Sequence, residues 1–344
     1  MGSKKVRNER QLERMRTNPV APPVEKKTEP AGFELPTGKP QRQWYTLGFM
    51  IVIILLIMFA VNWVINYAFT AVCLSRDPSL KDNSEALMEA FNKFVGSNAA
   101  YMILQKMSLN ISVVLTLLLF FKRFEGENIS SLGIHFMGKT GVNIGAGALL
   151  GFVAILLAYN LLMIIGAVKM TGRVYFDPIQ LLWTLDMIIT VLADEALFRG
   201  YVRYKLADKH KILIYAASAI VFALYKGLPS TSPVTYISYG AMALFMMYIY
   251  ELTKSLWFGI MFRFAWAFFS GIVLSINLST IPGIFMNEGL KESIFAGNDF
   301  GFENGLIAVI VIVVCFGIVK YIFEGRMKPG KKFQRRLQKD GTIR

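Results

Sequence analysis

YTLGFMIVIILLIMFAVNWVINYAFTAVCL, residues 45–74, carries no charged side chain. A helix needs about 20 apolar residues to cross a hydrocarbon layer of about 30 Å. A soluble helix of this length would instead show a polar face. Read outward from this stretch, comparable apolar blocks recur at Tyr101–Phe121, Val142–Val168, Ile179–Lys205, Ile212–Lys226, Pro233–Leu252, Ser255–Leu278 and Gly305–Phe323. The pattern predicts an all-α, polytopic membrane protein of about eight transmembrane helices. Between the first two blocks lies the polar stretch Ser75–Ala99, in which Ala86–Phe94 is expected as a short surface helix.

Apolar residues make up 54% of the 344 residues, and the formal charge is +14. Such a charge raises the question of nucleic-acid binding, but its placement argues against it. The basic residues gather in the two tails and in short turns: Lys122, Arg123 and Lys139; Arg203, Lys205, Lys209 and Lys211; and Lys254. Lys/Arg enrichment on one side marks the cytoplasmic face. The expectation is a multi-pass plasma-membrane protein with both termini cytoplasmic and anionic lipids at its basic tails. The corresponding division is a disordered basic tail over 1–44, helices and loops over 45–178, a core over 179–278, an extracytoplasmic loop and last span over 279–323, and a basic tail over 324–344.

Cys73 and Cys315 form no spaced set, so neither a disulfide framework nor a zinc knuckle is implied. His135 and His210, both in charged loops, are the only histidines. A mechanism that needs a histidine within the apolar blocks is therefore excluded. No metal or cofactor is expected.

The informative residues are charges inside apolar blocks. A charge at mid-depth costs about 2.5–3.5 kcal/mol on insertion scales and points to a function or a partner. LLWTLDMIITVLADEALFRGYVRYKL, residues 181–206, holds Asp186, Asp194, Glu195 and Arg199. Glu195 and Arg199 are four apart with the acid first, the favoured order for a helical ion pair. Asp194 points about 100° away from Glu195. Lys226 ends the next block and Arg263 lies near the middle of WFGIMFRFAWAFF. At about 1.5 Å per residue Asp194, Glu195 and Arg263 reach similar mid-membrane depths and Lys226 lies somewhat further from the cytoplasm, so that with Arg199 they could converge on one buried site.

Asp194-Glu195-Ala196-Leu197-Phe198-Arg199-Gly200 resembles the first motif, Glu-Glu-x-x-x-Arg, of the CAAX protease and bacteriocin-processing family of intramembrane proteases (CPBP, Abi). Phe222-Ala223-Leu224-Tyr225-Lys226 is similar to the second motif, Phe-x-x-x-His, with Lys in place of His. Arg263-Phe264-Ala265-Trp266-Ala267 stands where the third motif, His-x-x-x-Asn, would fall, with Arg for His and Ala for Asn. The resemblance covers roughly Ile179 to Ser270 and marks a divergent member without the motif histidines. It implies a metal-independent intramembrane endopeptidase acting on a membrane protein or peptide. In that reading Asp194 is the general base, Glu195 and Arg199 organise the site, Lys226 takes the place of the second-motif base, and Arg263 holds the oxyanion.

The residues also support another reading. Two carboxylates face three cations, and a carboxylate held by cations is a weaker base. The cluster is then a charge-neutralised structural lock in a catalytically silent scaffold that binds and regulates another membrane protein. A transporter using the mid-membrane charges is a third reading, against which stands the absence of internal repeats.

Overall fold

The computed structural model describes residues 45–136, 138–228, 230, 232–276, 283–288, 291–297 and 301–327. All of them lie in one compact unit, Leu35–Arg344. The expected tail over 1–44 lies outside the described residues; of the expected basic tail over 324–344, residues 324–327 belong to the last helix and the rest lie outside the described residues. The described chain is mostly α-helical: α1 (Tyr45–Arg76), α2 (Ser84–Ser97), α3 (Ala99–Phe120), α4 (Thr140–Ile164), α5 (Ile179–Glu195), α6 (Lys211–Gly227), α7 (Pro233–Thr253), α8 (Trp257–Ala267) and α9 (Leu306–Met327). A small antiparallel sheet, β1 (Lys169–Val174) with β2 (Phe285–Glu288), pairs Lys169 with Glu288 and joins the segments after α4 and before α9.

The expectation of about eight transmembrane helices is corrected. Among the described residues three helices are long and apolar enough to cross a membrane: Thr46–Arg76, Ala99–Glu125 and Thr140–Ile164. Trp257–Val273 and Leu306–Ile322 are apolar but shorter. The physical reasons are length and dilution. Helix α5 runs on through the π turn Ala196–Tyr201 and the turn Val202–Lys205, but Asp186, Asp194, Glu195 and Arg199 break its apolarity. Helix α6 has 17 residues, about 26 Å at 1.5 Å per residue, short of a hydrocarbon layer of about 30 Å. Helix α7 reaches 21 residues, but Thr235, Ser238, four tyrosines and Glu251 reduce its apolarity. The side assignment that rested on eight alternating crossings loses that basis.

Local chemistry sets the helix starts. Asn83 caps α2 by accepting from the Ala86 N–H (3.0 Å), and Asn98 caps α3 by accepting from the Tyr101 N–H (3.0 Å). Asp177 accepts from the Ile179 N–H (2.9 Å) and from the Tyr175 hydroxyl (2.8 Å) at the start of α5. Those two bonds hold its carboxyl below the usual range, the Ile179 amide contributing most. Three helices widen into π turns, at Phe121–Glu125, Ala196–Tyr201 and Phe268–Val273.

Helix α1 stays largely exposed, with Phe59, Trp63 and Tyr67 outward. Polar pairing ties it to α3. Gln105 Nε2 donates to Asn62 Oδ1 (2.7 Å) and Asn66 Oδ1 (3.0 Å), and the Tyr101 hydroxyl donates to Asn66 Oδ1 (2.9 Å). Side-chain amides between apolar helices act as such links. Helix α3 continues the theme toward α5 through Asn110 Nδ2 to Thr190 Oγ1 (2.6 Å) and the Lys106–Asp186 pair (3.1 Å).

Helices α4 and α8 pack backbone to backbone. Gly147, Gly151, Ala154 and Ala158 are buried in α4. A Cβ on Gly147 would lie 2.3 Å from the Phe258 carbonyl oxygen, and one on Gly151 2.5 Å from that of Phe262. Small residues at these positions permit the approach. One apolar cluster, built from α4, α7, α8 and α9, centres on Ile155, Phe245, Phe262 and Val311. A second, built from α1, α3, α5 and α6, centres on Leu117, Phe198, Tyr201 and Phe222. The charged residues sit along the seam between them.

Gly151→Ala is expected to destabilise the protein by about 1–3 kcal/mol through overpacking against a backbone atom. Gly145→Ala, on the same helix with open space around it, is expected to be neutral or to stabilise by about 0.5–1 kcal/mol. Thermal unfolding in detergent compares the two directly.

Candidate functional site

Asp194 and Glu195 occupy the last turn of α5, immediately before the π turn Ala196–Tyr201 that carries Arg199. A π turn leaves a carbonyl without its usual helical partner, and such turns concentrate at functional sites. Here the Ser218 hydroxyl of α6 donates to the Phe198 carbonyl oxygen (3.0 Å). This bond pins α6 against the wide turn and sets where Phe222 and Lys226, further along α6, arrive.

Asp194 is 2% exposed, Glu195 1% and Arg199 0%. Lys226 Nζ lies 2.9 Å from Asp194 Oδ2, and Arg263 Nη1 lies 3.0 Å from the same oxygen. Arg263 Nη1 also lies 3.5 Å from Glu195 Oε1, and Arg199 Nη1 reaches that oxygen at 3.5 Å. Arg263 therefore bridges the two acids. Its side chain is 14% exposed and that of Lys226 21%. The five candidate residues come together from α5, its π turn, α6 and α8.

Arg199 is held differently from the other cations. Its Nε, Nη1 and Nη2 have no hydrogen-bond acceptor among the described residues. It relies on the ionic contact with Glu195 and on the Phe222 ring, whose centroid lies 4.2 Å from the guanidinium carbon. The Arg263 guanidinium lies 4.9 Å from the same ring. Phe222 thus screens two like charges while facing both. Gly259 of α8 borders the other carboxylate oxygen of Glu195, where a Cβ would lie 3.1 Å from Oε2.

Two charged neighbours were not legible from motif spacing. Asp186, eight residues before Asp194 on α5, is fully buried and pairs with Lys106 of α3. Thr190 donates to Asp186 Oδ1 (3.4 Å), so Asp186, Thr190 and Asp194 form a polar row along α5. Lys106 lies within an apolar block, and that position was the available signal. Glu303, on the short turn Phe302–Asn304 before α9, accepts a hydrogen bond from Trp266 Nε1 (2.9 Å). It lines a cavity of about 30 Å³ together with Ser238, Tyr239, Arg263 and Ala267. Nothing in the sequence near Glu303 indicates this.

Among the described residues no group of His, Cys, Asp and Glu is arranged to hold a metal ion. What the arrangement can do chemically is pair two buried carboxylates directly with cations. Two guanidiniums remain charged at all relevant pH values.

Helices long enough to cross a membrane, beside a buried acid–base cluster on shorter helices, define a membrane-associated helical protein with an internal charged site. Residues 177–269 match the family described as Type II CAAX prenyl endopeptidase Rce1-like. The match spans about a quarter of the chain and includes Asp194, Glu195, Arg199, Lys226 and Arg263. This segment is therefore CAAX-protease-like. No curated protein and no solved structure matches the chain.

Arg263→Met is expected to destabilise the protein by about 3–5 kcal/mol, because it leaves two buried carboxylates undercompensated. Lys226→Met is expected to lose less, since of the two acids its amino group pairs with Asp194 and not Glu195, it also faces the Tyr225 ring (5.1 Å), and its side chain is partly exposed. Paired denaturation curves in detergent measure the order of the two effects.

Proposed function

We propose that this chain is a CAAX-protease-like protein of the plasma membrane that acts as a non-catalytic scaffold, binding and positioning another membrane protein. The observation that carries this reading is the engagement of Asp194 Oδ2 by both Lys226 and Arg263. A general base must accept a proton from water within hydrogen-bond reach. An oxygen already paired with two cations is a poor acceptor. The absence of histidine at Lys226 and Arg263 supports the same view of a divergent family member whose second and third motifs hold fixed charge.

Residues 179–278 form the CAAX-protease-like core in this reading. The basic segments around it meet anionic lipid headgroups.

One observation favours a second reading as an active intramembrane endopeptidase. Arg263 touches the motif acids on one side and borders a cavity of about 30 Å³ on the other, room for a water molecule or two. A guanidinium there can stabilise an oxyanion. The two readings separate on Asp194→Asn at wild-type abundance. The scaffold reading expects an unchanged set of membrane-protein termini and the same co-purified membrane partner. Peptide termini present only with wild type would overturn it and identify the substrate.

A further inference from the structure

Arg263 Nη1 pairs with both Asp194 and Glu195, yet these two acids do not balance the charge around it. Lys226 and Arg199 reach the same carboxylates, so three cations face two anions. A surplus buried cation is costly, and a further anion nearby offsets it. The cavity of about 30 Å³ beside Arg263 supplies one. Glu303 lines it, as do the Ser238 and Tyr239 side chains, and Ala267 forms part of its wall. The small Ala267 side chain leaves the space open. A cavity of this size with several polar walls accommodates a water molecule or two.

Glu303 is also fixed in place. Its Oε1 accepts from Trp266 Nε1 (2.9 Å). Trp266 is 3% exposed and stacks on Phe302, the residue preceding Glu303, with ring centroids 5.4 Å apart. Trp266 lies three residues after Arg263 on α8, so one helix turn carries both the cation and the donor that orients its distant anion. Glu303 falls outside residues 177–269, the matched segment.

We propose that Glu303 is a third acid of the site, a positioning residue that balances Arg263 across the hydrated cavity and ties the start of α9 to the charged cluster. The proposal concerns charge balance and goes beyond the question of catalysis, because its test reads folding alone. Its failure would leave the scaffold reading untouched.

The test uses the full chain in lipid nanodiscs and follows the thermal midpoint. Glu303→Gln keeps an oxygen for the Trp266 indole and removes only the charge. It is expected to lower the midpoint by about 2–4 °C, and Glu303→Asp is expected to recover most of the loss. In an Arg263→Gln background the Glu303→Gln loss should vanish. In a Trp266→Phe background, which leaves Arg263 intact, the loss should persist. This second background decides the matter if Arg263→Gln does not fold. Loss that disappears with Trp266→Phe, or an unchanged midpoint for Glu303→Gln, would overturn the proposal and leave Glu303 as a partner of Trp266 only.

Discussion

The Arg263 guanidinium between Asp194 and Glu195 is the contact on which the middle of this molecule depends. The two acids are adjacent in α5 and point in different directions, so a single cation can reach both only from a helix that runs close by. Helix α8 comes that close because Gly259 leaves room beside Glu195. Its other side is pressed against α4, where Gly147 and Gly151 let backbones meet. Removing space at either interface moves Arg263 relative to both acids at once. The packing of α4 on α8 and the ion pairs of α5 are therefore one structural problem.

The charges are tolerated because each is met by more than one partner. Burying an ion pair costs several kcal/mol of desolvation per ion, and excellent geometry is needed to recover it. Here Asp194 Oδ2 has two cations, Glu195 Oε1 has two, and Phe222 offers its ring to two guanidiniums. Such networks add little net stability compared with an apolar seam of the same volume. Their value lies in specificity, since any shift of α6 or α8 along α5 would strand a buried charge. The Ser218–Phe198 bond makes that register explicit, because a carbonyl of the wide turn meets a hydroxyl on α6.

What the sequence disclosed, and what it concealed, follows from which interactions are local. Charges inside apolar blocks stand out in one dimension, so Asp194, Glu195, Arg199, Lys226 and Arg263 could be picked out as a set before any geometry was known. Hydropathy could not separate membrane-length helices from shorter buried ones. The apolar runs at α5, α6 and α8 read as spans, yet α5 and its π turn carry four charges, α6 ends early and α8 stays short even with its π turn, and among the described residues three helices rather than about eight meet the length and apolarity needed to cross. The Lys106–Asp186 pair joins residues far apart in the chain, and the place of Glu303 is set by how the segment before α9 folds back to Trp266. A charge in an apolar block is visible in the sequence, but which remote side chain it pairs with is not.

A hydrolytic centre needs a group whose protonation state changes during the reaction, and a base must part with its counter-ion or share it with water. Histidine does this near neutral pH because its charge is nearly balanced there. Guanidinium does not. Arg263 is a position that holds charge, and Lys226 is held by its pairing with Asp194. Holding charge is the property a fixed interface requires. It keeps α5, α6 and α8 in one register, and a fixed helix arrangement presents a constant outer surface. Helix α1 is tied through α3 by the Asn62, Asn66 and Gln105 amides and then by Asn110 to α5, and its Met50 and Ile54 pack into the apolar cluster that holds Phe198 and Phe222. The same side chains that weaken the case for hydrolysis are the ones that hold the register of α5, α6 and α8.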